Sequence, residues 1–418
     1  MQIKNSTQFK IPHCFASFSI KNQFNKVSHF LIMIAIALFS FVTEAQIIVE
    51  SGSVSAGFGV DADVQTNGTW RIYDSSGNLM NTNSGASDDW FQNDPFYFGS
   101  GMGVIQSSYT PPSGNIEWDP RARMSQDPFY LDSNNRRWLD AVFLRDTHWA
   151  GNADDLNIFK KGSNKNADNP NSWNIIEGSN PQKNDIIDVM AHLRRNGADF
   201  DSDLWTFIGA NTRSPDGSSY IDFELFRTEL SYNTSDGLVG LGPDGGHTSW
   251  IFEQANGNIS QVGDVIISLN FENGGVDIVG HIYVWVNPSQ LPGGSIENAN
   301  SILDSNANLK FKFVIGGNGQ PIFESGEQTN GFGYAEIELK NSNLSSIAFA
   351  SINGEDESVN PNVSGDTPTG PWDTLTGPQA NTIGDYPEDT LIEFGINMTA
   401  IGLDQSLACL LYTSQSPR

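Results

Sequence analysis

Every second residue is apolar along the central stretch IIDVMAHLRR (186–195), from Ile187 to Leu193. The same period of two recurs in SSYIDFELFR (218–227) and in VDIVGHIYVWVN (276–287). Successive side chains of a β-strand point to opposite faces, whereas an amphipathic helix repeats with a period near 3.6. The alternation therefore predicts strands that turn one face toward a core.

Strands of this kind recur along the sequence, separated by turns rich in Gly, Pro, Asn and Asp. The chain has 41 glycines for such turns and 26 phenylalanines for a sizeable core. This pattern predicts an all-β fold, a large antiparallel β-sandwich of jelly-roll or concanavalin-like type with long loops. The predicted elements are strands at Trp138–Arg145, Ile186–Arg195, Leu204–Gly209, Tyr220–Leu230, Asp264–Glu272, Val276–Asn287, Leu309–Ile315, Tyr334–Leu339, Ile347–Ile352 and Thr390–Met398, with a short helix over Ile296–Leu303.

Three segments follow from the composition, and a C-terminal tail forms a fourth. Residues 1–45 are predicted to be a signal peptide, and 46–135 an N-terminal segment of strands and loops that packs on the sandwich. Residues 136–407 are predicted to be the main sandwich domain. Within it, residues 150–184 are rich in Asn, Asp, Gly, Pro and Lys, which predicts a long loop with little regular structure.

The first 45 residues have the three parts of a secretory signal. Four lysines (Lys4, Lys10, Lys21 and Lys26) precede the apolar run FLIMIAIALFSF at 30–41. Small residues around Ala45 then allow a cut ahead of Gln46. The run is short for a membrane span, although an uncleaved N-terminal anchor is the alternative. We expect a secreted or cell-surface protein with no membrane insertion of the mature chain.

The formal net charge is −27. Such a chain repels nucleic acid, so we exclude nucleic acid as a partner. It attracts cations, and Ca²⁺ is the cofactor that the composition points to. The alternative is that the acidity only maintains solubility.

Both cysteines lie in segments that we expect to be absent from the mature natural protein. Cys14 falls in the signal peptide. Cys409 opens CLLYTSQSPR (409–418), which resembles translated sequencing-adapter sequence. We therefore interpret residues 408–418 as a non-native tail and expect the natural chain to continue. A mature domain without cysteine excludes disulfides, thiol catalysis and cysteine-based zinc sites.

Three stretches carry a family resemblance. They are NDIIDVMAHLRRN (184–196), LWTFIGANTRSPDGSSYIDFELF (204–226), and GPW (370–372) followed by IEFGINMTAIGL (392–403). These resemble a group of secreted, surface-associated bacterial β-sandwich proteins, many of which end in a type IX C-terminal sorting domain. The resemblance implies compartment and architecture, and it implies no enzymatic activity.

The strand at 220–224 also resembles, in degenerate form, the active strand of laminarinase-like glycoside hydrolases. That strand carries two outer acids as nucleophile and acid/base and a middle Asp, and the matching positions here are Tyr220, Asp222 and Glu224. Tyrosine is a glycosidase nucleophile only in exceptional families. We therefore predict no catalytic residues, and a degenerate glycan-active enzyme is the alternative.

Oxygen ligands for Ca²⁺ are the second interpretation of this strand. Asp222 and Glu224 share a face, and Asp185 or Asp188 would complete a site if their strand were a neighbour. A further acidic stretch, DFDSD (199–203), lacks the Gly and the Glu of an EF-hand loop, with Leu204 and Ala210 in their places. It predicts a solvated turn.

An aromatic face is the third interpretation. His281, Tyr283 and Trp285 alternate with aliphatic residues and form a candidate platform for a sugar or a peptide. The alternative is that these rings are buried under residues 90–130, whose own aromatic residues need packing partners. None of the histidines is spaced for a zinc site.

These features lead to one function and two alternatives. We expect a non-catalytic protein for adhesion or ligand binding, with an extracellular glycan or surface polymer as partner and with Ca²⁺ as a stabilising cation. The degenerate glycan-active enzyme is one alternative, and a purely structural surface component is the other. The structural alternative predicts that His281, Tyr283 and Trp285 are all buried.

Overall fold

Two β-sheets face each other across an apolar core in the computed structural model of this chain. The structure describes residues 47–48, 50–51, 53–66, 72–73, 79–80, 87–92, 101–108, 119–146, 149–150, 154–160, 168–179, 185–214, 219–233, 237–272, 277–316, 331–340, 347–353, 366–376 and 381–404. The predicted signal peptide (1–45) and the predicted non-native tail (408–418) lie outside these residues.

The strands of the two sheets are β1 (Ile47–Ile48), β2 (Glu50–Ser51), β3 (Asp119–Arg123), β4 (Arg137–Arg145), β5 (Ile186–Arg195), β6 (Leu204–Thr212), β7 (Ser219–Leu225), β8 (Val265–Glu272), β9 (Asp277–Val286), β10 (Phe311–Phe313), β11 (Gly333–Leu339), β12 (Ala348–Ile352) and β13 (Leu391–Asn397). One sheet has seven strands in the order β2-β12-β13-β6-β5-β4-β3. The other has six, in the order β7-β8-β9-β11-β10 with β1 also on β9. Their pairs are antiparallel except β2 with β12. The predicted all-β sandwich is confirmed.

The core between the sheets is built from the apolar face of each alternating strand. Ile221, Ile267 and Val284 come from the six-stranded sheet, and Leu193 and Phe394 from the seven-stranded sheet. Phe223 and Leu225 pack against this cluster as partly buried neighbours, as the alternation in SSYIDFELFR predicts. Burial of apolar area of this kind is the main stabilising term of such a fold.

Helix α1 (Ile296–Ser305) closes one end of the core, where Ala299 and Leu303 are fully buried. Its first turn is capped because the Ser295 side chain accepts a hydrogen bond from the backbone N–H of Asn298. The predicted helix over Ile296–Leu303 is thus present and two residues longer.

A second apolar cluster covers the outer face of the seven-stranded sheet. Trp138, Met190 and Phe207 project from β4, β5 and β6, and Phe58 and Trp90 of the N-terminal segment pack on them. Gly209 permits this contact, because a Cβ there would lie 2.9 Å from the Cε of Met190 and 3.3 Å from the Trp90 ring. The same segment also supplies β1, β2 and β3 to the two sheets.

Shorter elements surround the sandwich. The paired strands are Ser53–Ser55 with Phe58–Val60, Ile72–Tyr73 with Leu79–Met80, Leu230–Asn233 with Gly237–Gly240, Ile251–Phe252 with Ile259–Gln261, Thr367–Pro368 with Asp385–Tyr386, and Thr374–Thr376 with Asn381–Ile383. A three-stranded sheet joins Trp149–Ala150, Asp154–Lys160 and Asn174–Ser179. Short 3₁₀ turns lie at Pro170–Ser172, Pro288–Gln290 and Pro292–Gly294.

The expectation that 150–184 has little regular structure is wrong, since two strands of that three-stranded sheet lie in it. Main-chain pairing between Ile158 and Ile176 and between Phe159 and Ile175 joins them. Within the described residues, no helix has the length and apolar character that a membrane span requires.

Candidate functional site

The predicted site residues of β7 and β9 share the outer face of the six-stranded sheet. Strand register places them in rows across the sheet. Glu224 lies opposite Ile266, which lies opposite Tyr283, which lies opposite Glu336. Asp222 begins the adjacent row, which continues through Ser268 and His281. The structure therefore brings five predicted residues onto one face of the sheet: Asp222, Glu224, His281, Tyr283 and Trp285.

The Glu224 carboxylate is held by groups from two other elements. The Tyr334 hydroxyl on β11 donates a hydrogen bond of 2.6 Å to Glu224 Oε1. The Nδ1 atom of His247 lies 3.4 Å from the same oxygen and 3.3 Å from Oδ2 of Asp264. Glu224 thus belongs to a network with one tyrosine, one histidine and a second acid.

His247 covers this end of the face from a short segment that precedes Trp250. Its ring lies 4.1 Å from the Trp285 ring, centroid to centroid, and is fully buried. Its Nε2 contacts the backbone oxygen of Asp168 at 3.1 Å. Both ring nitrogens therefore lie close to oxygen atoms of other elements, which fix the orientation of the ring.

Asp264 is the second acid that a two-carboxylate hydrolase would require near Glu224. It lies beside Glu224, because both contact the same atom of His247. However, Asp264 is fully buried, and its oxygens accept hydrogen bonds from the backbone N–H groups of Arg227 (2.7 Å) and Thr248 (3.0 Å). Retaining or inverting hydrolysis needs both carboxyl groups open to sugar and water, and the Asp264 carboxylate is closed to solvent.

The three residues of the candidate aromatic platform are all covered. Relative exposure is 8% for His281, 9% for Tyr283 and 0% for Trp285. Trp285 packs against His247, and its Nε1 donates to the backbone oxygen of Asp244 at 2.9 Å. His281 pairs through Nδ1 with Glu336 at 2.8 Å. These contacts leave little ring surface for a sugar to stack on.

Trp90 and Phe91, which the alternative interpretation places over these rings, do not cover them. Trp90 and Phe91 lie on the outer face of the seven-stranded sheet. Phe96 and Tyr97 lie outside the described residues. Alternation predicts which side chains share a face, and it carries no information on which distant loop folds over that face.

Asp185 and Asp188 do not join Asp222 and Glu224. Asp188 lies on β5 of the seven-stranded sheet, and Asp185 directly precedes that strand. Strand β7 belongs to the six-stranded sheet and pairs only with β8 among the described strands. Asp188 is held by the Arg145 guanidinium at 2.6 and 2.9 Å, and Asp185 is paired with Arg213. The expectation of a neighbouring strand is therefore incorrect, and both acids are neutralised by arginine.

The remaining acidic stretch (199–203) lies in an exposed turn, and His192 of β5 is buried within the fold. Asp199, Asp201 and Asp203 are exposed in the turn between β5 and β6, as a solvated turn requires. His192 is fully buried; its Nδ1 contacts the Asp140 backbone oxygen at 2.8 Å. The histidine at position 148 lies outside the described residues.

A cluster of acids that sequence reasoning missed lies in the N-terminal segment, where this segment meets β13. Asp61, Asp63 and Asp89 each place a carboxylate oxygen within 4.8 Å of the others, and all three are buried. Glu393 of β13 lies next to them: its Oε2 accepts from the backbone N–H groups of Asp61 (2.9 Å) and Ala62 (2.7 Å). Its Oε1 accepts from the Trp90 indole at 2.5 Å.

Burial changes the acid–base properties of this cluster. It raises the pKa of Asp63 and of Asp89 well above the usual range, and the neighbouring carboxylates raise both further. The pKa of Glu393 is raised by burial and then by Asp61, despite the three donors to its carboxylate. Both effects penalise the ionised form.

The sequence holds only a weak signal for this cluster. Asp61 and Asp63 form a D-x-D pair in a loop, which is common in calcium-binding loops but also in ordinary turns. Glu393 is 332 residues away from Asp61, and nothing local in the sequence links them. Asp61, Asp63 and Asp89 meet within the N-terminal segment, and Glu393 joins them only when this segment packs on the sheet.

No family model, curated protein or solved structure matches this chain. The two resemblances named from the sequence motifs therefore stay predictions.

Proposed function

We propose that this chain is an exported, non-catalytic β-sandwich protein of the cell surface that binds an extracellular glycan or another surface polymer. Support for export comes from the lysines and the apolar run at 30–41, which have the order of a secretory signal. The strongly acidic composition speaks against nucleic acid as the ligand.

The contacts of the Glu224 carboxylate are the observation that supports the non-catalytic part of the proposal. Its carboxylate accepts a hydrogen bond from Tyr334 and contacts His247, and the acid that shares His247 with it is fully buried. Glycoside hydrolysis needs one carboxyl group for protonation and a second for attack or water activation, both open to the substrate. Binding without cleavage fits this geometry better.

A purely structural role is the second candidate, and one observation favours it. His281, Tyr283 and Trp285 are all buried, as a surface component without a ligand site would have them. An adhesive protein would then have to use another surface for its ligand. The two candidates differ in a single measurable property, which is affinity for a polymer.

The test uses the chain from residue 46 to residue 407 and measures binding and cleavage on the same substrates. Co-sedimentation with insoluble cellulose, chitin and β-1,3-glucan, together with a soluble glycan array, reports binding. Release of reducing ends from the same polymers reports cleavage. We expect saturable binding to at least one polymer and no release above a heat-treated control.

The Glu224→Gln variant separates the outcomes. Reducing-end release that this variant abolishes would overturn the proposal in favour of the glycan-active enzyme. Failure of the folded wild-type chain to bind any polymer would overturn it in favour of the structural role. Binding by wild type and variant alike, without cleavage, supports it.

A further inference from the structure

The acid cluster between the N-terminal segment and β13 carries a concentration of like charge that a protein interior does not tolerate on its own. Ionised Asp61, Asp63, Asp89 and Glu393 would place four negative charges together in a buried space. Buried charges are normally paired with opposite charge or bound to a metal, since desolvation costs several kcal/mol per ion. None of the described ion pairs includes Asp63, Asp89 or Glu393.

Asp88, the residue before Asp89, shows that arginine side chains lie close to this cluster. Asp88 is paired with Arg194 at 2.8 Å and with Arg136 at 3.5 Å, while Asp89 turns into the acid cluster. Strand-like alternation sends the two consecutive carboxylates in opposite directions. Asp88 is therefore paired with arginine, whereas no ion pair among the described residues includes Asp89.

Unused carboxylate oxygens are the second and independent observation. Asp63 is 2% exposed and Asp89 is 0% exposed. Oδ1 of each accepts a backbone N–H, from Gln65 at 2.8 Å and from Trp90 at 2.6 Å. Oδ2 of each is buried and has no hydrogen-bond donor within the described part of the chain. Metal-binding carboxylates commonly have one oxygen oriented in this way while the other binds the metal.

From these observations we infer that Asp61, Asp63 and Asp89 bind one divalent cation, and that the cation is Ca²⁺. All three groups offer oxygen and none offers nitrogen or sulfur, which selects a hard cation. Two oxygens bound to one Ca²⁺ at about 2.3–2.6 Å can be up to about 5 Å apart, which matches oxygens within 4.8 Å of one another. Mg²⁺, at about 2.0–2.1 Å, needs a tighter set.

Glu393 acts as a positioning residue for this site. Its carboxylate fixes the loop that carries Asp61 through two consecutive backbone N–H groups, and it fixes Trp90, the neighbour of Asp89, through the indole. A bound cation would therefore tie the loops at 61–65 and 87–91 to each other and to β13. This inference is independent of the proposed function, because the tests of polymer binding and cleavage involve Glu224 and none of the acids of this cluster.

The first test is metal content and thermal response of the wild-type chain from residue 46 to residue 407. We expect about one Ca²⁺ per chain by elemental analysis after purification in Ca²⁺-containing buffer. After EDTA treatment and dialysis, titration calorimetry with CaCl₂ should give one site with Kd at or below about 1 mM, the weak end of extracellular modules. Saturating Ca²⁺ should raise Tm by about 3–5 °C.

Isosteric variants locate the site. Asp63→Asn and Asp89→Asn should lose the Ca²⁺-dependent rise in Tm and weaken Ca²⁺ binding at least tenfold. Their Tm without metal should equal or exceed that of metal-free wild type, because each removes one repelling charge. The control is Asp201→Asn, which removes a charge from an exposed turn and should leave the response to Ca²⁺ unchanged.

The competing explanation is a pair of aspartates that share a proton and bind no metal. It predicts no bound metal, no heat on titration with Ca²⁺, Mg²⁺ or Mn²⁺, and an unchanged Tm, and this result would overturn the inference. An equal loss of Ca²⁺ response in Asp201→Asn would also overturn it. If either aspartate variant fails to fold, the stoichiometry and calorimetry of the wild-type chain decide alone.

Discussion

The hydroxyl of Tyr334 donates a 2.6 Å hydrogen bond to Oε1 of Glu224, and this bond links two strands that are separated by two others in the six-stranded sheet. Hydrogen bonds to charged groups contribute more than neutral ones. The bond therefore fixes the acid that would otherwise be the best catalytic candidate on β7. Its strength can be measured.

Removal of this hydroxyl should destabilise the fold. We expect Tyr334→Phe to lower the free energy of unfolding by about 2 kcal/mol, because a carboxylate loses its donor. Urea denaturation provides the measurement. The control is Tyr130→Phe, whose hydroxyl lies 3.7 Å from the sulfur of Met102, a weak acceptor, and which should change stability much less.

A double-mutant cycle shows whether the effect belongs to the pair. Tyr334→Phe combined with Glu224→Gln should give a coupling free energy of about 1 kcal/mol or more. Additive effects of the two substitutions would contradict the assignment of this bond as a stabilising link.

The buried pair of Arg145 and Asp188 should be among the most sensitive sites in the chain. Arg145→Met is expected to cost about 3–5 kcal/mol, since it leaves the Asp188 carboxylate buried without its counter-charge. Arg123→Met is the matched control, because Arg123 is 51% exposed and 3.8 Å from Asp140. Exposed pairs contribute about 0–1 kcal/mol, so similar losses in both variants would contradict the prediction.

How far the sequence predicts this structure depends on the range of the interactions. Period-two alternation in IIDVMAHLRR predicts the bounds of β5, because strand geometry is local. It also predicts the two faces from Val189 onward, but a register shift between Ile186 and Asp188 packs Ile186 rather than Ile187 against the core. The hairpin at 154–179 is missed, because its strands lie in a segment rich in Asn, Asp, Pro and Lys that is typical of loops.

The candidate sites are less predictable for the same reason. Asp188 and Glu224 both alternate with apolar residues, yet one lies in each sheet, and no local pattern states which sheet a strand joins. The acid cluster joins two loops of the N-terminal segment, and Glu393 reaches it from a position 332 residues away along the chain. Sequence composition predicts an affinity for cations, and only the fold shows which acids meet.

His192 should make stability depend on pH. Burial, then the Arg194 charge, lowers its pKa well below 6.5, because Arg194 donates to Nε2 at 2.9 Å and leaves no place for a second proton. Above pH 6.5 both folded and unfolded chains are neutral at this residue. Below pH 6.5 only the unfolded chain takes up the proton, so stability falls by about 1.4 kcal/mol per pH unit until the folded pKa is reached.

The His192→Gln variant isolates this contribution. Free energies of unfolding are measured by urea denaturation between pH 5 and pH 8 for both proteins. The wild-type curve should fall more steeply below pH 6.5 than the variant curve, and the two should run parallel above it. Parallel curves over the whole range would contradict the prediction, because they would show that the pKa of His192 is the same in the folded and unfolded chains.

The conformation of the backbone segment that carries His247 should require a glycine at position 242. A Cβ at this position would lie 2.3 Å from the backbone carbon of His247 and 2.5 Å from the oxygen of Gly246, and backbone atoms cannot yield as a flexible side chain does. Gly242→Ala should therefore move His247 off Trp285, break the 2.9 Å bond from the Trp285 indole to Asp244, and cost about 1–3 kcal/mol. A red shift of tryptophan fluorescence that is absent in a Trp285→Phe background reports the uncovering of this ring.

Gly384→Ala is the control, since the nearest atom to its Cβ is Oδ1 of Asp373 at 3.9 Å, and it should leave both fluorescence and stability nearly unchanged. If Gly242→Ala behaves like this control, His247 is held over Trp285 by its ring contacts and hydrogen bonds rather than by the tight backbone turn.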